Sequence, residues 1–207
     1  MQNIKNIIFD LGGVLFNIDF RLTEKAFTEL GVKDFASYFT QFHSNPLFAQ
    51  LETTVDTGFF YDAFRKETGL AVTDEQIKHA WNALLLDFRK ESMAMLPLLR
   101  KKYRLYLLSN TNEIHIQEFL QRFEQTYPAS HFDNLFDGVY YSHRIGHRKP
   151  NAGAFEYILH KHHLIAEETL FIDDSINNIE AAMQLGIQTI HLKPGMKVEE
   201  LGLLDNN

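Results

Sequence analysis

The sequence contains no cysteine, which removes disulfides, thiolate metal centres, iron–sulfur clusters and cysteine nucleophiles together. It also lacks any apolar run near the ~20 residues needed to span a bilayer. The run from Ile4 to Phe9 is interrupted by charge and glycine too early for a secretory leader. The expectation is a cytoplasmic protein with no membrane partner. Positive charge is scarce, with 20 basic against 27 acidic residues and a net charge of −7, which weighs against a nucleic-acid surface. A small phosphorylated ligand remains compatible, because one local cation suffices to meet it. Repeats and low-complexity tracts are absent as well. What is present is apolar bulk: 45% hydrophobic residues, 18 of them phenylalanine, in 207 positions. This excludes disorder and suits one domain, or one domain with a compact insertion.

Ile4 to Phe9 reads as a buried strand that stops at Asp10-Leu11-Gly12-Gly13, so Asp10 falls at a strand's C-terminal end. From Phe20 to about Leu99 apolar residues recur at helical spacing, among them Ala26, Phe27, Leu30, Phe35 and Phe39, and no strong strand is expected. Strand-like and helical segments then alternate. Leu105–Leu108 ends at Ser109-Asn110, Val139–Tyr141 at Ser142, Leu170–Ile172 at Asp173-Asp174, and Gln188–Ile190 leads to His191. Glu113–Phe123, Ala152–His163 and Ser175–Leu185 read as helices. In the last, Ser175 is placed to cap, Ile176, Ile179 and Met183 to form one face, and Gly186 to stop the helix. The tail from Glu199 is expected to fray.

Alternation of this kind predicts a parallel sheet whose right-handed crossovers put every strand's C-terminal end on one edge. Asp10, Ser109 and the Asp173-Asp174 pair then converge where open α/β sheets bind ligands. Asp10 and Asp174 offer the hard oxygens that Mg²⁺ prefers. Ser109 can hydrogen-bond a phosphate, and Lys149, in His147-Arg148-Lys149-Pro150, can neutralise it. A carboxylate nucleophile, a cation site and a lysine together suit phosphoryl transfer. His143, His147, His160, His162 and His163 lie close in sequence but form no His-Glu-x-x-His array and are not read as a zinc site. Phe42, Phe48 and Trp81 are assigned to core packing by default, with the lining of a sugar pocket as the alternative.

Asp10-Leu11-Gly12-Gly13-Val14-Leu15, Leu107-Leu108-Ser109-Asn110, Arg148-Lys149-Pro150 and Phe171-Ile172-Asp173-Asp174, in this order, resemble the four motifs of the haloacid dehalogenase superfamily. The resemblance covers essentially the whole chain. It implies a Rossmann-like α/β core, a parallel sheet flanked by helices, over 1–17 and 91–207, with an inserted α-helical cap over 18–90. Asn17-Ile18-Asp19-Phe20, Ser109-Asn110-Thr111-Asn112 and the run from Asp173 to Glu180 narrow it toward the bacterial α-glucose-1-phosphate phosphatases and the phosphatase domain of soluble epoxide hydrolase. The implied activity is Mg²⁺-dependent hydrolysis of a small phosphomonoester, a sugar phosphate such as a hexose 1-phosphate, through a phosphorylated Asp10. Asp10, the Gly12 carbonyl and Asp174 would hold the metal. Asp173 would hold a metal-bound water or orient Lys149, Ser109 and Asn110 would bind phosphate with Lys149, and Asn178 would fix the last loop. A monomer or a homodimer is compatible with this reading.

One position departs from the pattern. Phosphatases of this superfamily usually carry a second aspartate two positions after the nucleophile, and here that residue is Gly12. General acid–base catalysis is typically worth ~10²–10⁴-fold, so something must stand in for it. Asp19 or His43 could carry the proton, or the leaving group could need little protonation, as an anomeric hydroxyl does. Two other readings stay open: a 2-haloacid dehalogenase, against which the Asp173-Asp174 pair argues, and a phosphate-binding regulatory module that has lost turnover.

Overall fold

The computed structural model describes residues 3–40 and 45–205; His43 and Phe42 lie outside them. Its centre is a parallel sheet in the order β5-β4-β1-β6-β7, built from β1 (Asn6–Phe9), β4 (Arg104–Ser109), β5 (Gly138–Tyr141), β6 (Thr169–Asp173) and β7 (Gln188–His191). Burial on both faces explains why β1, β4 and β6 read as continuous apolar runs rather than alternating ones. Ile7, Phe9, Leu105, Leu107, Leu170 and Ile172 pack into one apolar layer. Ile8, Tyr106, Leu108 and Phe171 pack into the other, beneath Ala154, Phe155 and Ile158 of α8 (Ala152–His162).

The sheet order makes β1 the centre, with Phe9 opposite Leu107 on one side and Ile172 on the other. The residues that follow the three strands, Asp10, Asn110 and Asp174, therefore leave the sheet side by side. A strand alternation read from sequence thus translates directly into a shared edge.

Helices α1 (Phe20–Glu29), α2 (Pro46–Leu51), α3 (Gly58–Thr68) and α4 (Asp74–Asn82) form the insertion after β1. Its core is aromatic: Phe27 stacks on Phe35 at 4.5 Å, and Phe48 meets Trp81 at 4.7 Å. Trp81 and Phe48 are buried in this cluster, which supports the packing reading of both. The sequence reading missed the insertion's base. There, β2 (Phe16–Ile18) pairs antiparallel with β3 (Leu85–Phe88), a two-stranded ribbon whose partners lie about seventy positions apart. Neither segment shows period-two alternation, β3 being buried only at its two ends, so no local pattern could reveal it.

Two further expectations are corrected. The C-terminal tail does not fray within the described residues: Val198 and Leu203 are buried, Tyr103 donates its hydroxyl to the Leu203 carbonyl, and Ser92 donates to Glu199. In α9 (Ile176–Gln184) the buried side chains are Ile179 and Ala182, whereas Ile176 and Met183 are exposed. The small Ala182 lets the helix approach the sheet closely, which places the packing seam beside the face read from the larger residues. Ser175 occupies the N-cap position, but its side chain makes no capping bond. No helix among the described residues is long and apolar enough to cross a membrane.

Core and insertion are joined through His115, on α6 (Glu113–Thr126). Its ring stacks on Trp81 at 4.6 Å, Nε2 lies 3.1 Å from the Trp81 carbonyl, and Nδ1 lies 3.1 Å from the Asn112 amide nitrogen. Nε2 therefore carries the proton and donates it, while Nδ1 accepts, which is a neutral imidazole. Burial pushes its pKa from 6.5 down to about 4. The unfolded chain thus binds a proton that the folded chain refuses, and the stability this histidine contributes is full above pH 6.5 and lost as pH falls toward 4. The stability advantage of wild type over His115→Asn should shrink by about 3 kcal/mol across that window. Urea denaturation of the two proteins in parallel checks this, and a pH-independent difference would contradict it.

Candidate active site

Lys149 is the hub of the sheet edge. Its side chain is 1% exposed, and Nζ donates to Asp10 Oδ1 at 2.6 Å, to Asp173 Oδ2 at 2.7 Å and to the Leu108 carbonyl at 2.8 Å. These three acceptors use all three ammonium protons. Burial works against the charge, but Asp10 and Asp173 outweigh it and raise the Lys149 pKa. The lysine's backbone is held as firmly, because Asn110 donates its amide to the Lys149 carbonyl at 2.7 Å and accepts from the Lys149 N–H at 2.8 Å. The Asn110 side chain, read from sequence as a phosphate ligand, is thus occupied at both ends by backbone.

Asp173 is similarly committed. Oδ1 accepts from the Ser175 N–H at 2.7 Å, and both oxygens accept from the Asn178 amide at 3.1–3.2 Å. Asn178, one helical turn after Asp174, thereby ties Asp173 to the start of α9. Oδ2 also accepts from Lys149, so both oxygens of Asp173 are engaged. Of the three clustered aspartates, Asp10 and Asp174 border the cavity.

Ligand oxygens of Asp10, Asp173 and Asp174 lie within 4.8 Å of one another, the one such acidic group among the described residues. Burial, reinforced by the neighbouring carboxylates and opposed by Lys149, pushes Asp10 up to about 7. Burial and Asp173 push Asp174 up to about 6. One lysine does not neutralise three clustered carboxylates, and a divalent cation beside Asp10 and Asp174 would return both to the ionised state. The backbone is shaped to the same end. Gly13 has φ +72°, and a Cβ there would lie 2.4 Å from Asp174 Oδ2, so glycine is required both for the turn and for the carboxylate's approach. The donor set thus fits Mg²⁺, with Asp10 and Asp174 as carboxylate ligands and the Gly12 backbone beside them.

These groups open into a cavity of about 320 Å³. Ser109, Asn110, Lys149, Asp10 and Asp174 line its polar end. Phe16, Ile18, Phe20, Phe39, Leu85 and Phe119 supply much of the rest. Asp19 is not in the lining: it caps α1 and pairs with Arg21 at 2.7 Å, an interaction that holds its carboxyl below the usual range. That places it as a helix cap rather than beside Asp10.

Three cavity residues escaped the sequence reading. Glu52, directly after α2, is buried and lies 2.7 Å from Arg148 Nη2. The approach angle of that ion pair does not make a hydrogen bond, and Glu52 Oε2 and Arg148 Nε are both buried without one. Burial raises the Glu52 pKa, against the pull of Arg148 and of Lys149. Arg148 belongs to the quoted motif but had been given no role. His115 also lines the cavity; the spacing Asn112-x-x-His115, an N-cap with its third helical residue, is the only local signal that points to it.

A model of haloacid dehalogenase-like hydrolases matches residues 4–186. The chain is 33% identical to D-ribitol-5-phosphate phosphatase of Bacteroides thetaiotaomicron, over 93% of each chain. It is 28% identical to a sesquiterpene phosphatase of Aspergillus oryzae, over 91% of this chain and 89% of that one. Among solved structures, an aspartate-to-alanine variant of a Bacteroides thetaiotaomicron enzyme of the same superfamily, in complex with magnesium and inorganic phosphate, superposes with a TM-score of 0.90. That protein is 34% identical, with 96% of this chain and 98% of that chain covered.

Because Gly13 combines a positive φ with the Asp174 contact, Gly13→Ala should destabilise the fold by about 1–2 kcal/mol. By displacing Asp174 it should also weaken Mg²⁺ binding about 10–100-fold. Denaturant titration and calorimetry with MgCl₂ measure the two effects, and unchanged Mg²⁺ affinity would remove Asp174 from the metal site.

Proposed function

The chain belongs to the haloacid dehalogenase-like hydrolases, and from that membership we propose that it is a Mg²⁺-dependent phosphomonoesterase acting on a small sugar or polyol phosphate, with Asp10 as nucleophile. The observation that carries the reading is the buried Lys149 bridging Asp10 and Asp173 within an acidic cluster that Asp174 completes. Halide displacement has no use for such a cation site, whereas phosphoryl transfer requires its charge to be spread.

Asp10 attacks phosphorus with the carboxylate oxygen not engaged by Lys149. An O–P bond forms to Asp10 as the bond to the leaving alcohol breaks, and water then cleaves the phosphorylated aspartate to release inorganic phosphate. Lys149 holds Asp10 in one orientation and offsets charge on the transferred group. Ser109 donates to a phosphate oxygen. Asn110 and Asp173 act through Lys149, as positioning residues, by fixing its backbone and its ammonium. Bound Mg²⁺, held by Asp10, Asp174 and the Gly12 carbonyl, would supply charge neutralisation and align the phosphate against the nucleophile. The relatives named above as phosphatases, and the magnesium and phosphate complex, support this assignment.

Gly12 refines the substrate. With no carboxyl at this position to protonate the leaving oxygen, esters of more acidic hydroxyls react best, which favours a hexose 1-phosphate within the proposed class. Asp19 could serve as the proton carrier only by leaving Arg21 and its cap. Wild type with Mg²⁺ should release phosphate from glucose 1-phosphate at least about tenfold faster than from glucose 6-phosphate, with release abolished by EDTA and in Asp10→Asn. No release from any phosphomonoester would leave the phosphate-binding module as the better description.

The same logic predicts that Gly12→Asp narrows the gap between the two glucose phosphates. A Cβ at Gly12 meets only the flexible tip of Ile18, at 2.8 Å, so the carboxylate can be accommodated. Phosphate release from both esters checks this, and a gap that stays the same or widens would contradict it.

A further inference from the structure

Glu52 is a buried acid with no task in the chemistry described above. It enters the cavity from the insertion, whereas Asp10, Ser109, Lys149 and Asp174 enter from the sheet edge. The leaving alcohol must occupy the space between these two sides. Much of the lining there is apolar, including Phe16, Phe20, Phe39 and Leu85. A carboxylate among such neighbours is costly unless its oxygens receive donors. Arg148 supplies charge at 2.7 Å but not a well-directed hydrogen bond, and Glu52 Oε2 is buried without one. Arg148 directly precedes Lys149, so the pair also ties the insertion to the loop that carries the catalytic lysine.

His115, the other titratable group of the lining outside the phosphate end, has both ring nitrogens engaged by Asn112 and Trp81. It has no acceptor to offer. Thr40 also lines the cavity, but a hydroxyl is a weaker acceptor than a carboxylate.

We propose that Glu52, anchored by Arg148, is the specificity-determining residue of the leaving-group site, where it accepts hydrogen bonds from hydroxyls of the alcohol while the apolar wall covers its carbon face. The inference rests on the phosphomonoesterase reading and deepens it. The preferred esters are those of polyhydroxylated alcohols, and a chain of equal length without hydroxyls leaves the carboxylate unsatisfied. Rejection of such a ligand follows from the buried acceptor left without a donor.

The test is a binding measurement in the Asp10→Asn background with Mg²⁺ present, which separates recognition from turnover. Ribitol 5-phosphate and n-pentyl phosphate present the same phosphate on five-carbon chains and differ in hydroxyls. Glu52→Met should weaken ribitol 5-phosphate about 10- to 100-fold, the range of hydrogen bonds to a charged group, and change n-pentyl phosphate by less than about threefold. The double variant Glu52→Met, Arg148→Met removes both charges together and guards against an unpaired arginine that disturbs the fold. It should show the same selective loss, with a melting temperature near that of the parent. Equal losses on both esters would make Glu52 a strut between insertion and core and overturn the proposal, as would no loss on either or no binding of either. Failure of wild type to release phosphate from any ester would instead strike the phosphomonoesterase reading, and is seen separately from these binding constants.

Discussion

The ammonium of Lys149 sits where three strands end, and the catalytic edge depends on it. β1 supplies Asp10, β4 the Leu108 carbonyl and β6 Asp173. A buried cation with three acceptors is tolerated because each proton has a partner, and the carboxylates are tolerated because the cation is there. Removing one member of such a buried set typically costs about 3–5 kcal/mol, since it strands the remaining charge. The surroundings keep the set in register: Asn110 grips the lysine's backbone, Asn178 and the Ser175 N–H grip Asp173, and the Phe171 ring lies 5.2 Å from the ammonium. This is rigid support for Asp10, the proposed nucleophile, whose attacking oxygen must be aimed.

The balance remains one-sided without a divalent cation. Asp10 and Asp174 are both pushed upward because burial and repulsion from neighbouring carboxylates, Asp173 above all, exceed what Lys149 returns. Gly13 lets the Asp174 carboxylate approach to a distance that any side chain would forbid. A turn that looks like an ordinary glycine pair in the sequence is therefore part of what shapes the proposed metal site, and its positive φ and its missing Cβ serve the same end.

Much of this was legible in the sequence, for physical reasons. Buried parallel strands leave continuous apolar runs, each ending in a polar residue, and β1, β4 and β6 did so; topology then forced Asp10, Ser109 and Asp173-Asp174 together. Lys149 was legible from its motif. What escaped has no local signature. The β2–β3 ribbon pairs segments about seventy positions apart, and Glu52 is one acid among many until the insertion folds over the sheet edge. The packing face of α9 was misread because the small Ala182 is buried beside Ile179 while the larger Met183 is exposed. The tail from Glu199 looked solvated, and it is held by Ser92 and Tyr103 from a different part of the chain. Asn110 as a phosphate ligand and Asp19 as a proton carrier were chemically sensible, but their side chains engage Lys149 and Arg21.

The account turns on Asp10 forming a bond to phosphorus within this lysine-centred frame. Acid-quenched mass spectrometry of the enzyme caught during turnover of glucose 1-phosphate with Mg²⁺ tests that directly. A phosphoryl group on the peptide containing Asp10, absent when Asp10→Asn is treated alike, is the result the account predicts. A phosphoryl group on another peptide, or none at any quench time while phosphate is released, would contradict it.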